Sequence, residues 1–262
     1  MISNVTIFSF AIAAVITLLL PIIIIIIMAL KRKITLLPLL IGFAAFFLAQ
    51  IVIRIPLLGI LSGQSWFQTM AGQFFPYALF MCFTAGLFEE SARLGGALFL
   101  KKKRSYTDAI SFGLGHAFCE VLILIGLSHV NNLFIAIAVN NGSAKTILPP
   151  EMVETITAQM LSINPIDIYW GLLERVSAVL FHIFATVLVF QGVVKKKPYY
   201  YLLAIFAHTL FNLIALLLLN HAGIVLSESA LFIAALAALA YVIKCRKDAD
   251  LTQPVAEGIS TN

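Results

Sequence analysis

Charge is what this sequence lacks most. Lys, Arg, Asp and Glu together make up 11% of its 262 residues, where a soluble domain carries about a quarter, and that shortage excludes a water-soluble enzyme. Cysteine is scarce too. Cys82, Cys119 and Cys245 have neither metal-ligand spacing nor an even-numbered framework, so a disulfide scaffold and a Cys-built metal centre are excluded, and all three read as unpaired packing residues. There is no Gly-x-Ser-x-Gly elbow and no His-Glu-x-x-His helix, which argues against the serine hydrolases of the elbow type and against zincins. No basic residue precedes the first apolar run, so the run lacks the positive region of a cleaved signal peptide and reads as a retained helix.

What fills the chain is apolar. Hydrophobic residues reach 61% and the mean hydropathy is +1.04, and the apolar residues fall into seven runs long enough to cross a bilayer, which takes about 20 residues each. The runs are Val5 to Leu30, with Pro21 expected to kink it; Ile34 to Ile60; Phe74 to Leu100; Ser105 to Val130, with an apolar extension to Val139; Ile168 to Val194; Tyr199 to Leu219; and Ile224 to Ile243. The expected fold is an all-α polytopic membrane protein with one transmembrane domain over 1–243 and a catalytic core over about 50–219. The connection 140–167 is expected outside the cytoplasm, with a short helix between Pro150 and Leu161, where Met152, Val153, Ile156 and Met160 have helical spacing. The polar tail 244–262 reads as cytoplasmic and disordered.

The net charge of +5 reflects membrane orientation and gives no nucleic-acid site. Of 17 Lys and Arg, thirteen lie in four clusters at 31–33, 101–104, 195–197 and 244–247, and Lys145 alone stands in an opposite-side connection. By the positive-inside rule the N-terminus is outside and the C-terminus in the cytoplasm of a prokaryotic cell membrane. Arg54, Arg93 and Arg175 fall inside the runs. So do Glu89, Glu90, Glu120, Glu174, His116, His182 and His208, and a charge in mid-membrane costs about 2.5–3.5 kcal/mol unless it faces protein or a water-filled cavity. Arg54 and Glu174 could pair, both lying toward the outer ends of their runs.

Counting from the nearest basic cluster gives depth. Glu90 and His208 lie 11 residues in, Glu89 and His116 lie 12, and His182 lies 13, which at about 1.5 Å per residue places all five near the middle of a roughly 30 Å hydrocarbon core. Glu89 and Arg93, His116 and Glu120, and His208 and Asn212 are each four apart, so each pair projects from one helix face. Glu89 and Glu90 lie about 100° apart on the helix, so one of them is expected to face the centre. His129 and His221 lie near the outer boundary and read as packing residues. A mid-membrane carboxylate with several imidazoles suits hydrolysis of an acyl or peptide bond: a general base, imidazoles that bind Zn²⁺ or orient water, and an Asn amide to meet an oxyanion.

Glu89-Glu90-x-x-Arg93, Gly113-Leu114-Gly115-His116-x-x-x-Glu120, Glu174-Arg175 followed by His182, and His208-x-x-x-Asn212 together resemble the signature of the CAAX prenyl protease and bacteriocin-processing (CPBP) superfamily. The nearer likeness is to its YhfC-type branch, related to the PrsW-like intramembrane proteases. The resemblance implies an intramembrane metalloprotease in which Glu89 and Glu90 supply the water-activating carboxylate. It implies a metal site, Zn²⁺ by the donor types, drawn from Glu90, His116, His182 and His208. His208 and Asn212 would serve the metal or an oxyanion hole, with Arg93 and Glu120 beside them. The substrate would be a membrane protein or peptide within the lipid bilayer. Two readings from other classes remain: a proton- or cation-coupled transporter, whose mid-membrane relay would use the same residue types, and a catalytically inactive membrane partner.

Overall fold

The computed structural model describes residues 1–101 and 103–247. The spans are α1 (Asn4–Leu30), α2 (Leu36–Leu61), α4 (Phe74–Phe99), α5 (Tyr106–Asn140), α7 (Pro165–Val194), α8 (Tyr199–Ala222) and α9 (Ile224–Lys247), with short helices α3 (Ser65–Ala71) and α6 (Val153–Ser162) in the connections. Six of the spans are long and apolar enough to cross a membrane by themselves. The seventh is α4 taken with α3, the two being bent by 111° at Gly72 and Gln73. Among the described residues there is no strand.

The helices begin and end where side-chain chemistry requires. Ser105 and Asp108 form a reciprocal capping box at the start of α5, and Thr35, just before α2, donates to Asp108 at 2.8 Å and so ties the two helix starts together. Asn164 caps α7, with Pro165 in its first turn. At the other ends, Arg32, Lys101 and Lys196 take left-handed backbone with φ of 53°, 47° and 55°. Lys33 N–H then reaches back to the Met28 carbonyl and Lys197 N–H to the Gly192 carbonyl, both at 2.8 Å. Basic residues thus close the helices where carbonyls are orphaned and the dipole is negative.

Several boundaries differ from the sequence reading. The connection after α5 carries a turn at Pro150–Met152 and then α6, close to the expected short helix. The last helix continues to Lys247, so the first four residues assigned to the tail are helical, and 248–262 lie outside the described residues. Two spans contain wide π-helical stretches, Phe47–Arg54 in α2 and Glu120–Gly126 in α5.

Backbone contact between helices places the core. A side chain at Gly115 would collide with the Leu39 carbonyl and one at Gly42 with the Phe112 carbonyl, while Gly113 lies against Ile183 and Thr186. α5 is therefore pressed between α2 and α7 by small residues, as membrane helices pack when burial of oil against oil offers no gain. His116, next to Gly115, arrives in the interior fully buried. Of the six unaided spans α7 is the most buried. Its Val187, Leu188 and Phe190 pack with Phe112 of α5 toward the basic end.

Candidate metal and peptidase site

Four spans deliver the polar cluster, at the common depth that residue counting gives. α4 carries Glu89, Glu90 and Arg93, α5 carries His116, α7 carries His182 and α8 carries His208, and every one of these six is at least 95% buried. Glu89 Oε2 lies 3.0 Å from His116 Nε2 and 3.9 Å from His182 Nδ1, and its Oε1 lies 3.9 Å from His208 Nε2. The three imidazoles follow one another at ring separations of 5.1 Å and 5.5 Å. Glu90 meets the far nitrogen of the same His208 ring. Its Oε1 accepts from Arg93 Nη1 and lies 2.8 Å from His208 Nδ1.

This arrangement fixes which nitrogens carry protons. Glu120 Oε2 lies 2.8 Å from His182 Nε2; a carboxylate only accepts, so Nε2 holds the hydrogen and Nδ1 is left to accept from Arg93 Nη2 at 3.1 Å. By the same logic His208 donates from Nδ1 to Glu90 and keeps a bare Nε2 directed at Glu89. Glu120 is itself held by Arg175 Nη1 at 2.7 Å, and Arg175 Nη2 binds Glu174. Carboxylates behind ring nitrogens hold imidazole ligands in place at metal centres.

The structure revises several pairings. Arg93 pairs with Glu90, three residues away, and not with Glu89 on its expected face. Glu120, four residues after His116, faces the same cluster as expected, where it meets His182 and Arg175. Arg54 is not with Glu174: it donates to Gln50 Oε1, the Thr84 hydroxyl and the Met81 carbonyl. Both adjacent carboxylates enter the cluster, where one was expected. His129 packs near Phe10 and His221 near Phe74, outside it.

Two participants escaped the sequence reading. Gln50 donates from Nε2 to Glu89 Oε1 while accepting from Arg54, so a neutral amide joins the outer arginine to the central carboxylate. A glutamine within an apolar run was visible, but its partner was not. Glu228 on α9 is 95% buried, with Oε2 unpartnered, and lies within electrostatic reach of Glu174 and Arg175.

A cavity of about 60 Å³ adjoins the cluster. Glu89, Glu120, His182, His208 and Asn212 line it, with Phe181 and Phe211, stacked at 4.4 Å, as its apolar wall. A water needs about 10–15 Å³ by this measure and two or more polar partners, so the cavity has room for several. Asn212 stands on it one turn from His208.

The donors suit a divalent cation. Among the described residues Glu89, His116 and His182 each bring one ligand atom within 4.8 Å of the other two, a carboxylate and two imidazoles, the set that catalytic zinc sites use with one position left to water. His208 and Glu90, expected among the ligands, pair with each other beside this group. His116 Nδ1 and Glu90 Oε2 are buried without a partner.

Residues 16–234 match the YhfC intramembrane metalloprotease family. The chain is also 30% identical over 182 residues to the uncharacterized membrane protein YhfC of Bacillus subtilis (strain 168), covering 65% of this chain and 69% of that protein. No solved structure matches it. With the match running through every span that builds the Glu/His cluster, the chain is a multi-pass protein of the cell membrane and belongs to the YhfC intramembrane metalloprotease family.

Proposed function

We propose that this protein is a metal-dependent peptidase that hydrolyses a peptide bond of a membrane-embedded protein or peptide. The observation that carries the reading is the approach of Glu89, His116 and His182 to within 4.8 Å of one another, beside a water-sized cavity with Asn212 and His208 on its wall. Those three residues would hold the metal, Zn²⁺ by ligand type, with His182 giving up its hydrogen bond from Arg93 and His116 the proton it now directs at Glu89; when bound it would lower the pKa of a coordinated water toward 7 and polarise a carbonyl. His208, on the cavity wall with its Nε2 3.9 Å from Glu89 Oε1, takes the proton as the water oxygen attacks the scissile carbonyl carbon. It returns that proton to the departing amine nitrogen when the C–N bond breaks. Glu90, fixed by Arg93, holds the His208 ring and stabilises its charged form. The Asn212 side-chain N–H, on the same wall, is the donor for the developing oxyanion.

We place the basic ends of the spans in the cytoplasm, so that the 140–167 connection lies outside. The short motif Glu89-Glu90-x-x-Arg93 supports wider kinship with PrsW-like and CPBP proteases. The test is reconstitution in liposomes with a membrane-embedded peptide library, products being mapped by mass spectrometry. His208→Ala and Asn212→Ala should each lower cleavage, the latter about 10²–10³-fold as loss of an oxyanion donor does. Full activity in His208→Ala would remove the proton-transfer assignment.

A further inference from the structure

A second concavity, of about 310 Å³, lies at the basic end between α4, α7 and α8 and shares no lining residue with the first cavity. Its floor is apolar, with Leu94 from α4 and Val189 and Val193 from α7. Its mouth carries Lys196 and Lys197, and Tyr201 flanks it from α8. The two ends differ in chemistry. At the mouth both lysines are exposed and sit on a turn that the backbone holds rigidly: Lys197 N–H bonds the Gly192 carbonyl at 2.8 Å, and Lys196 is held left-handed. Gly192 permits this, since a Cβ there would stand 2.9 Å from Tyr200 Cβ. On the α8 side the Tyr201 hydroxyl lies 2.8 Å from Ser91 Oγ on α4, which ties the two walls together. Leu98, on the rim, is 53% exposed and in a spanning helix faces hydrocarbon.

We propose that this groove binds an anionic glycerophospholipid, an acyl chain lying along Leu94, Leu98 and Val193 and the phosphate at Lys196 and Lys197. Charge complementarity selects this occupant. A zwitterionic lipid would bring its own cation to the lysines, and free phosphate would leave the apolar floor uncovered, whereas one acyl chain and one anionic head meet both halves. Basic pockets between helices at the cytoplasmic side are where such head groups are held. The proposal does not depend on the peptidase reading, because the groove shares no residue with the metal and water site.

Full-length protein in nanodiscs of phosphatidylglycerol or phosphatidylcholine, released into native mass spectrometry, provides the test. Wild type should retain one phosphatidylglycerol and no phosphatidylcholine, and millimolar inorganic phosphate should not displace it. The double variant Lys196→Gln/Lys197→Gln should lose affinity by roughly tenfold to thirtyfold. Lys31→Gln/Lys33→Gln, which removes as much charge from the same face, should leave retention unchanged. Leu98→Trp fills the groove from its rim without entering the core, and should also expel the lipid. Equal losses in the two lysine pairs, retention in Leu98→Trp, or equal binding of phosphatidylcholine would each overturn the proposal.

Discussion

Glu89 and Glu90 are neighbours in sequence, yet the proposed site gives them separable jobs, and their amide variants should fail in opposite ways. In Glu89→Gln the side chain keeps its shape but presents one oxygen and one NH₂ where two oxygens now meet Gln50 Nε2 and His116 Nε2. One of those neighbours then faces a donor, at a cost of about 1–3 kcal/mol for one unsatisfied buried group. The protein should fold and insert, but with two of three metal ligands. Glu90→Gln removes the charge that balances buried Arg93 and accepts the His208 hydrogen. Breaking a buried pair costs about 3–5 kcal/mol, while Glu89, His116 and His182 are untouched. Elemental analysis of purified protein and thermal unfolding in the same detergent separate the two. Glu89→Gln should be metal-free with a modest loss of stability, and Glu90→Gln should hold metal and melt markedly earlier. A metal-free, fully stable Glu90→Gln beside a metal-loaded Glu89→Gln would refute the assignment.

Gln50→Leu and Glu120→Gln, which leave all three ligands in place but remove the groups that orient Glu89 and His182, should each weaken metal affinity by about 10–100-fold in a competition titration. Gly115→Leu drives a side chain into the Leu39 carbonyl and should stop α5 seating against α2, seen as loss of folded protein on size exclusion, whereas Gly95→Leu, with open space at its Cβ, should not. A cysteine at Gly142 should react with a membrane-impermeant thiol reagent added outside intact cells. Labelling only from the cytoplasmic side would reverse the topology.

Depth was legible in the sequence and pairing was not. The basic clusters mark where helices stop, because the same residues close the last turn and anchor the interface, so counting inward from Lys101, Arg104, Lys195 and Lys197 brought Glu89, Glu90, His116, His182 and His208 to one layer. Azimuth is more fragile. A carboxylate four residues from Arg93 and another three residues from it both lie near its face, and tertiary contacts decided for Glu90. The π-helical stretches at Phe47–Arg54 and Glu120–Gly126 shift the helical phase. Gln50 lies within the first of these and reaches Glu89, a meeting that no spacing rule built on 3.6 residues per turn finds. The Arg54 to Glu174 pairing failed for a simpler reason: similar depth on two helices says nothing about adjacency, and the Thr84 hydroxyl and Met81 carbonyl stand nearer.

The central claim is peptide-bond hydrolysis at a metal held by Glu89, His116 and His182. The most direct measurement is cleavage of a membrane-embedded peptide library by zinc-loaded protein in liposomes, repeated with a chelator and with His116→Ala. The account predicts defined cut sites that disappear in both controls and return when zinc is restored to wild type. It is contradicted if wild type cuts nothing while an imposed pH gradient drives solute uptake that His116→Ala abolishes.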